Sequence, residues 1–460
     1  MTTQLFVTST LFSAVTLAAA IDAGAFGPRD RRRVLLVSNN SAVPEASTPV
    51  DRVPGFATLA WRFDDVLSWN DELAPLHPSG WEPRMEDLPL WERIFRDRWG
   101  LGADPVELVT ESIAVPPARS LASIFFDAAV TVYSDGLMSY GPTRNALPYG
   151  IGTQITRQLH LDLVPGLEPQ LLREYEVPAE IIPDEPFRTV LDKFHAEVAP
   201  TIAAYGADLD GAPLVIGQYL AALGILGDHE EDELHATMVR GAAARGHETV
   251  LFKPHPGSPV RATERLAAEA GRLGIRLLVV DAPVPAETWF AATRPALVVG
   301  CFSTALVTAA RYYGLPAAAV GTELLLERLK PYENSNRVPV TIVDTTIPRL
   351  GEDGTLHDPR IGPDAVQDEL VPLVAAISYC MRASARPDLR AAAAGYLEAH
   401  QDDDLTRHFK RRRLTSLDLP GGVAQGHPRV LGTVLPRSSR RRQLAIAALR
   451  RAEQLRARPK

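Results

Sequence analysis

A chain of 460 residues is longer than one hydrophobic core sustains, and its 46% hydrophobic and 23% charged residues exclude a largely disordered protein and favour two large domains. The formal net charge of −8 gives the chain as a whole no electrostatic footprint for nucleic acid. Its two cysteines, Cys301 and Cys380, are far apart and lack the CxxC spacing of a redox pair or zinc site, so a reducing, cytoplasmic setting is expected. The apolar opening from Met1 to Ile21 lacks the basic start of a signal peptide and is broken by Gln4 and several Thr and Ser residues.

In chain order, Gln4–Ser9 reads as a buried strand, Leu11–Ala23 as an Ala-rich helix closed by Gly24, and Arg33–Ser38 as the next strand. That order is a βαβ unit and implies a parallel sheet. From Phe56 to Trp99 the chain holds five of its six tryptophans, which suggests helices and long loops around a cleft or core. Ala122–Phe126 and Ala129–Tyr133 read as short strands, and Thr189–Tyr205 as a helix. Gly206–Gly211 reads as a linker.

The second half restarts the rhythm. Strands are expected at Pro213–Gly217, Glu248–Lys253, Ile275–Val280, Ala296–Gly300 and Val338–Val343, with helices at Glu231–Arg245, Arg261–Leu273 and Ser303–Tyr313. The expected fold is therefore α/β, with two Rossmann-like lobes facing a central cleft, at residues 1–208 and 209–381, and a helical, basic segment at 382–460. Residues Arg437–Lys460 hold nine Arg or Lys against one acid, Glu453. They read as a basic amphipathic helix for a membrane surface or the lobes, or as a solvated tail.

Four stretches fall where strands end, the place open α/β sheets reserve for ligands. They are Tyr133-Ser134-Asp135-Gly136, Gly217-Gln218-Tyr219, Lys253-Pro254-His255-Pro256 and Gly300-Cys301-Phe302-Ser303-Thr304. Asp-Gly is also an ordinary turn pair, Ser-Thr an ordinary helix cap, and a lone histidine commonly structural. Together they offer a candidate base in one lobe and a candidate acid, a lysine and an anion-binding helix start in the other. Group transfer from a phosphate-linked donor needs that set.

In order and spacing these motifs resemble the bacterial alpha-2,8-polysialyltransferase family and other GT-B sialyltransferases, over roughly Gln4 to Leu315. That family carries an acidic pair before Gly, then His-Pro, then Ser-Ser or Ser-Thr. Ser134-Asp135-Gly136, His255-Pro256 and Ser303-Thr304 match them. The resemblance implies inverting transfer of sialic acid from a CMP-sialic acid donor to a glycan hydroxyl, without a metal or other cofactor. Asp135 would be the base and His255 the acid, with Lys253, Pro256, Ser303, Thr304 and Gln218 on the donor and Arg144 on the sialic acid carboxylate. The polar loop Glu333–Arg337 would also face the cleft.

Ser134 stands where those relatives place the first acid, the base. Either Asp135 takes over, or the base comes from elsewhere, or catalysis is weakened. Two alternatives stay open: another GT-B enzyme with a nucleotide-activated donor (a sugar transferase, epimerase or polyol-phosphate transferase), and a non-catalytic GT-B-like binding protein.

Overall fold

The computed structural model of the protein describes residues 2–206, 209–255, 260–401 and 407–423. Pro256 and Arg437–Lys460, both singled out above, lie outside the described residues, as does the acidic run Asp402–Asp404. Met1–Tyr396 forms one compact unit and Leu397–Lys460 a second, whose described part includes the Arg411–Leu417 helix. Among the described residues no helix is long and apolar enough to cross a membrane.

The first unit contains two sheets, each of seven strands among the described residues. The first is built from β1 (Thr3–Thr8), β2 (Arg33–Val37), β3 (Asp65–Ser68), β4 (Val106–Thr110), β5 (Ala129–Ser134), β6 (Ile155–Leu161) and β7 (Ala179–Ile182), in the order β3-β2-β1-β4-β5-β6-β7. All its neighbours run parallel. The second is built from β8 (Leu214–Ile216), β9 (Thr249–Lys253), β10 (Arg276–Val279), β11 (Val298–Gly300), β12 (Ala317–Ala319), β13 (Arg349–Leu350) and β14 (Leu356–His357), in the order β10-β9-β8-β11-β12-β13-β14. Only the β13–β14 pair is antiparallel. In both sheets the strand order reverses beside the first strand, and the crevice at that reversal is where such sheets bind ligands.

Burial explains why these segments became strands. β1 and β2 are buried along their whole length, as expected of parallel strands covered by helices on both faces. One cover is the Leu11–Asp22 helix, ten of whose residues are buried. The aromatic stretch is chiefly core. Trp69 is fully buried and Trp99 nearly so, with Trp81 and Trp91 packed against the same cluster. Phe95 stacks on Trp99 at 4.5 Å. Trp61 is the exception, 54% exposed.

Two expected strands are helices. Val338–Val343 lies inside the helix Arg337–Thr346, and most of Ala122–Phe126 inside the helix Ala118–Ile124. Val338–Val343 is buried throughout and Ala122–Phe126 is buried except at Ser123 and Phe126, and a short, mostly apolar run does not distinguish a buried strand from a buried helix. Arg337, expected in a polar loop facing the cleft, is fully buried and donates to the carbonyls of Leu329 and Tyr332.

The lobes are tied together away from the cleft centre. Arg311 pairs with Asp184 at 2.5 Å. Arg382, on the helix Val371–Arg382, donates to the Arg144 carbonyl at 2.7 Å. The Arg144 side chain is exposed.

Candidate active site

At the carboxyl end of β5 the chain leaves the sheet as Asp135-Gly136-Leu137, and this loop meets the second lobe. The Leu137 N–H donates to Thr304 Oγ1 at 3.4 Å. A Cβ on Gly136 would come within 3.1 Å of the same oxygen, so glycine permits the approach. Ser303 caps the helix Thr304–Tyr313, its hydroxyl accepting from the Ala305 N–H at 3.2 Å. The capping reading of Ser303 therefore holds. A helix start leaves N–H groups of its first turn without helical partners, which suits an anion. Two of the stretches named from sequence thus touch across the lobes.

The other two lie at the neighbouring strand ends β8 and β9. Lys253 closes β9 and donates from Nζ to the Ala282 carbonyl at 3.1 Å. Burial lowers its pKa to about 8 against the raising effect of Glu287 and Asp281. His255, two residues on, stacks its ring on Tyr219 at 4.8 Å and 10°. Its pKa is lowered, first by the enclosing protein and second by the Lys253 ammonium.

Gln218 is buried, and its amide donates to the carbonyls of Ile216 and Gly217. Its backbone N–H donates to His235 Nε2 at 2.8 Å, which makes that nitrogen an acceptor. Burial lowers the His235 pKa to about 4, so the ring stays neutral in this role. The Leu220 N–H donates to the Glu231 carboxylate at 2.6 Å.

Two carboxyl groups here escaped the sequence reading. Glu287, 4% exposed on the helix Ala286–Thr293, accepts from Thr308 Oγ1 at 2.6 Å. Its pKa is raised by burial, with Lys253 pulling it down and Asp135 pushing it up. Glu111 follows β4 directly, between the ends of β1 and β5. Ser9 and Ser13 lie against it and hold its pKa down. Burial, and then the Asp135 charge, push Glu111 up to about 7. Asp135 is raised to about 6 by burial, against a bond from its own backbone N–H. The sequence signal for Glu111 was the run Val106-Glu-Leu-Val-Thr-Glu111, whose central Glu107 disguises a strand.

Among the described residues no group of three or more His, Cys, Asp or Glu side chains could hold a metal ion. The arrangement can take a proton at Asp135, bind an anion at the helix start and exchange a proton at His255. Two chiefly parallel seven-stranded sheets of this strand order are two Rossmann-like lobes, the architecture of the GT-B glycosyltransferases.

The model of the alpha-2,8-polysialyltransferase family matches residues 4–322, and the chain belongs to that family. It is accordingly a sialyltransferase-type enzyme. No curated protein matches the chain. Among solved structures it is similar to a sialyltransferase of Photobacterium damselae, with 13% identity, 74% of this chain and 95% of that one covered, and a TM-score of 0.40. It is also similar to the 2,6-sialyltransferase of Photobacterium sp. JT-ISH-224, solved with CMP and lactose, with 12% identity, 74% and 76% covered, and a TM-score of 0.41. A third, MurG of Acinetobacter baumannii, shares 10% identity, with 85% and 99% covered and a TM-score of 0.38. These likenesses are too distant to carry a residue's role from one protein to another.

Proposed function

We propose that the chain transfers sialic acid from CMP-sialic acid to a glycan hydroxyl, with inversion at the anomeric carbon. The observation that carries this reading is the meeting of the Asp135-Gly136 loop with Thr304 across the lobes, at the sheet whose strand β9, two places along, ends in Lys253 and leads to His255. Asp135 accepts the proton of the acceptor hydroxyl as its oxygen bonds to the anomeric carbon. The bond from that carbon to the CMP phosphate oxygen breaks, and its electron pair leaves on the phosphate.

His255 supplies the proton that the phosphate takes up. In the ligand-free protein its basicity is held down, but the donor's phosphate anion favours the imidazolium, because an opposite charge at close range raises a histidine's pKa. Ser303, Thr304 and the helix start hold the phosphate oxygens, and Lys253 adds positive potential. As the residue before a proline, His255 is itself restricted to extended backbone. Gln218 contributes through the backbone of its loop, which carries Tyr219 to the His255 ring. A monophosphate leaving group received in this way calls for no metal or other cofactor. The basic segment Arg437–Lys460 adds a peripheral contact with anionic membrane lipid, and deleting it should abolish sedimentation with anionic vesicles.

The test is CMP release from CMP-sialic acid across a panel of sialylated and galactose-terminated acceptors, for the wild type and His255→Ala. Release that needs both acceptor and His255 supports the reading. Absence of both release and CMP binding would sink it.

A further inference from the structure

The family's acidic pair, interrupted in this sequence by Ser134, has a spatial counterpart. We propose that Glu111 completes the base: projecting from the end of β4 beside Asp135 at the end of β5, it is the charge partner through which Asp135 becomes a strong proton acceptor. The inference rests on the reading of Asp135 as base given above.

The geometry is specific. β4 lies between β1 and β5, with Phe6 beside Val109 and Thr110 beside Val132. One residue further, Glu111 therefore faces the Thr8-Ser9 end of β1 on one side and the Tyr133–Asp135 end of β5 on the other. Ser9 and Ser13 lie against the carboxylate. Ser13 is itself held by the capping box with Thr10 and by a 2.7 Å bond with Thr8 Oγ1. The two serines favour the ionised carboxylate, and the register of β4 with β5 places it toward Asp135.

The groups facing the pair are few. Glu111 is coupled to Asp135 and to the Tyr133 hydroxyl, which donates to the Val7 carbonyl at 2.8 Å. Asp135 is coupled to Glu111, to Tyr133 and, from the second lobe, to Glu287, which is coupled in turn to Lys253. Among the described residues no Arg, Lys or His forms an ion pair with Glu111 or Asp135. Two adjacent carboxyl groups without a cation titrate as a coupled pair. Loss of the first proton, near pH 6, makes Asp135 competent. Loss of the second, near pH 7, puts a like charge beside it and strengthens it as a base. Glu111 touches neither reactant and acts through Asp135, so it is a positioning residue.

The experiment is the pH profile of kcat/KM, from pH 5 to 8.5, for wild type, Glu111→Gln, Glu111→Asp and Asp135→Asn. The wild type should show two ionisations, a first step near pH 6 and a further rise of about tenfold through a step near pH 7. Glu111→Gln should show one, with a rate at pH 8 lowered about tenfold while the acid step stays near 6, as expected when a like-charge neighbour is removed. Glu111→Asp should restore the second step. Asp135→Asn should lose about 10²-fold or more at every pH, as expected for a general base.

A single ionisation in the wild type, or an unaltered profile in Glu111→Gln, overturns the proposal. So does an active Asp135→Asn beside a dead Glu111→Gln, which would make Glu111 itself the base. If the wild type transfers no sialic acid at all, the reading of the reaction fails separately. The pairing is then judged by carboxyl ¹³C titration: two coupled steps that collapse to one in Glu111→Gln support it, and independent single steps overturn it.

Discussion

Replacing Glu111 by Gln should stabilise the protein above neutral pH and leave it unchanged in acid. The folded protein holds this carboxyl near 7, against 4.5 for the free side chain. A group raised on folding contributes its full stability below the unfolded value and loses it as pH climbs through the folded one, so the cost of Glu111 is complete above about pH 7. The interval is worth at most about 3 kcal/mol. Glu111 is half-buried, and solvent screening reduces the figure to roughly 1 to 2 kcal/mol. For a lobe of this size that is a rise in Tm of roughly 2 to 6 °C. Scanning calorimetry of both proteins at pH 5 and pH 8 is the assay. An equal shift at the two pH values, or a fall in Tm at pH 8, would refute the reasoning, because the charge of Glu111 would then be compensated in the fold. A gain in stability joined to a loss of rate is the signature of a residue kept for function.

Gly136→Ala should leave the fold intact and weaken catalysis by about tenfold, since its Cβ would crowd Thr304 Oγ1 at 3.1 Å. Circular dichroism and kcat/KM together check this. Lys253→Met should raise the pKa of His255 by removing the neighbouring ammonium, which an NMR titration of the imidazole reads directly. The same substitution leaves Glu287 buried without its nearest cation. It should cost about 1 to 3 kcal/mol in urea unfolding, with Glu287→Gln recovering part of the loss. Trp69→Ala should cost about 3 to 5 kcal/mol, because its fully buried ring packs against Phe95, Trp81 and Trp99.

Much of this arrangement was legible in the sequence, because parallel strands buried on both faces are written as continuous apolar runs. Phe6, Val34–Val37 and Val250–Phe252 belong to such runs, and each lies in the expected strand. Asp135, Lys253, His255 and Ser303-Thr304 could be found by position alone, since each follows a recognisable strand. Glu111 could not, because Glu107 interrupts the apolar run of β4 and left the strand before it unassigned. β6 and β7 escaped for a similar reason, carrying Arg157, Gln158, His160 and Glu180 along their length. Val338–Val343 failed in the other direction: an apolar, β-branched run was taken for a strand where tertiary burial had made it a helix. Side-chain direction was beyond reach as well, and Gln218, placed at the donor from its position, folds back on its own strand.

The bond from the Gln218 N–H to His235 Nε2 gives this turn a built-in tolerance of acid. Protonation would turn that nitrogen from acceptor to donor, set two N–H groups against each other and loosen the turn that carries Tyr219 to the His255 ring. With the His235 pKa near 4, this happens only in strong acid. The turn therefore keeps its shape through the whole range over which Asp135 and Glu111 change charge. A fall in rate between pH 7 and 5 would thus reflect lost proton acceptance by the carboxyl pair, while the turn that carries Tyr219 stays in place.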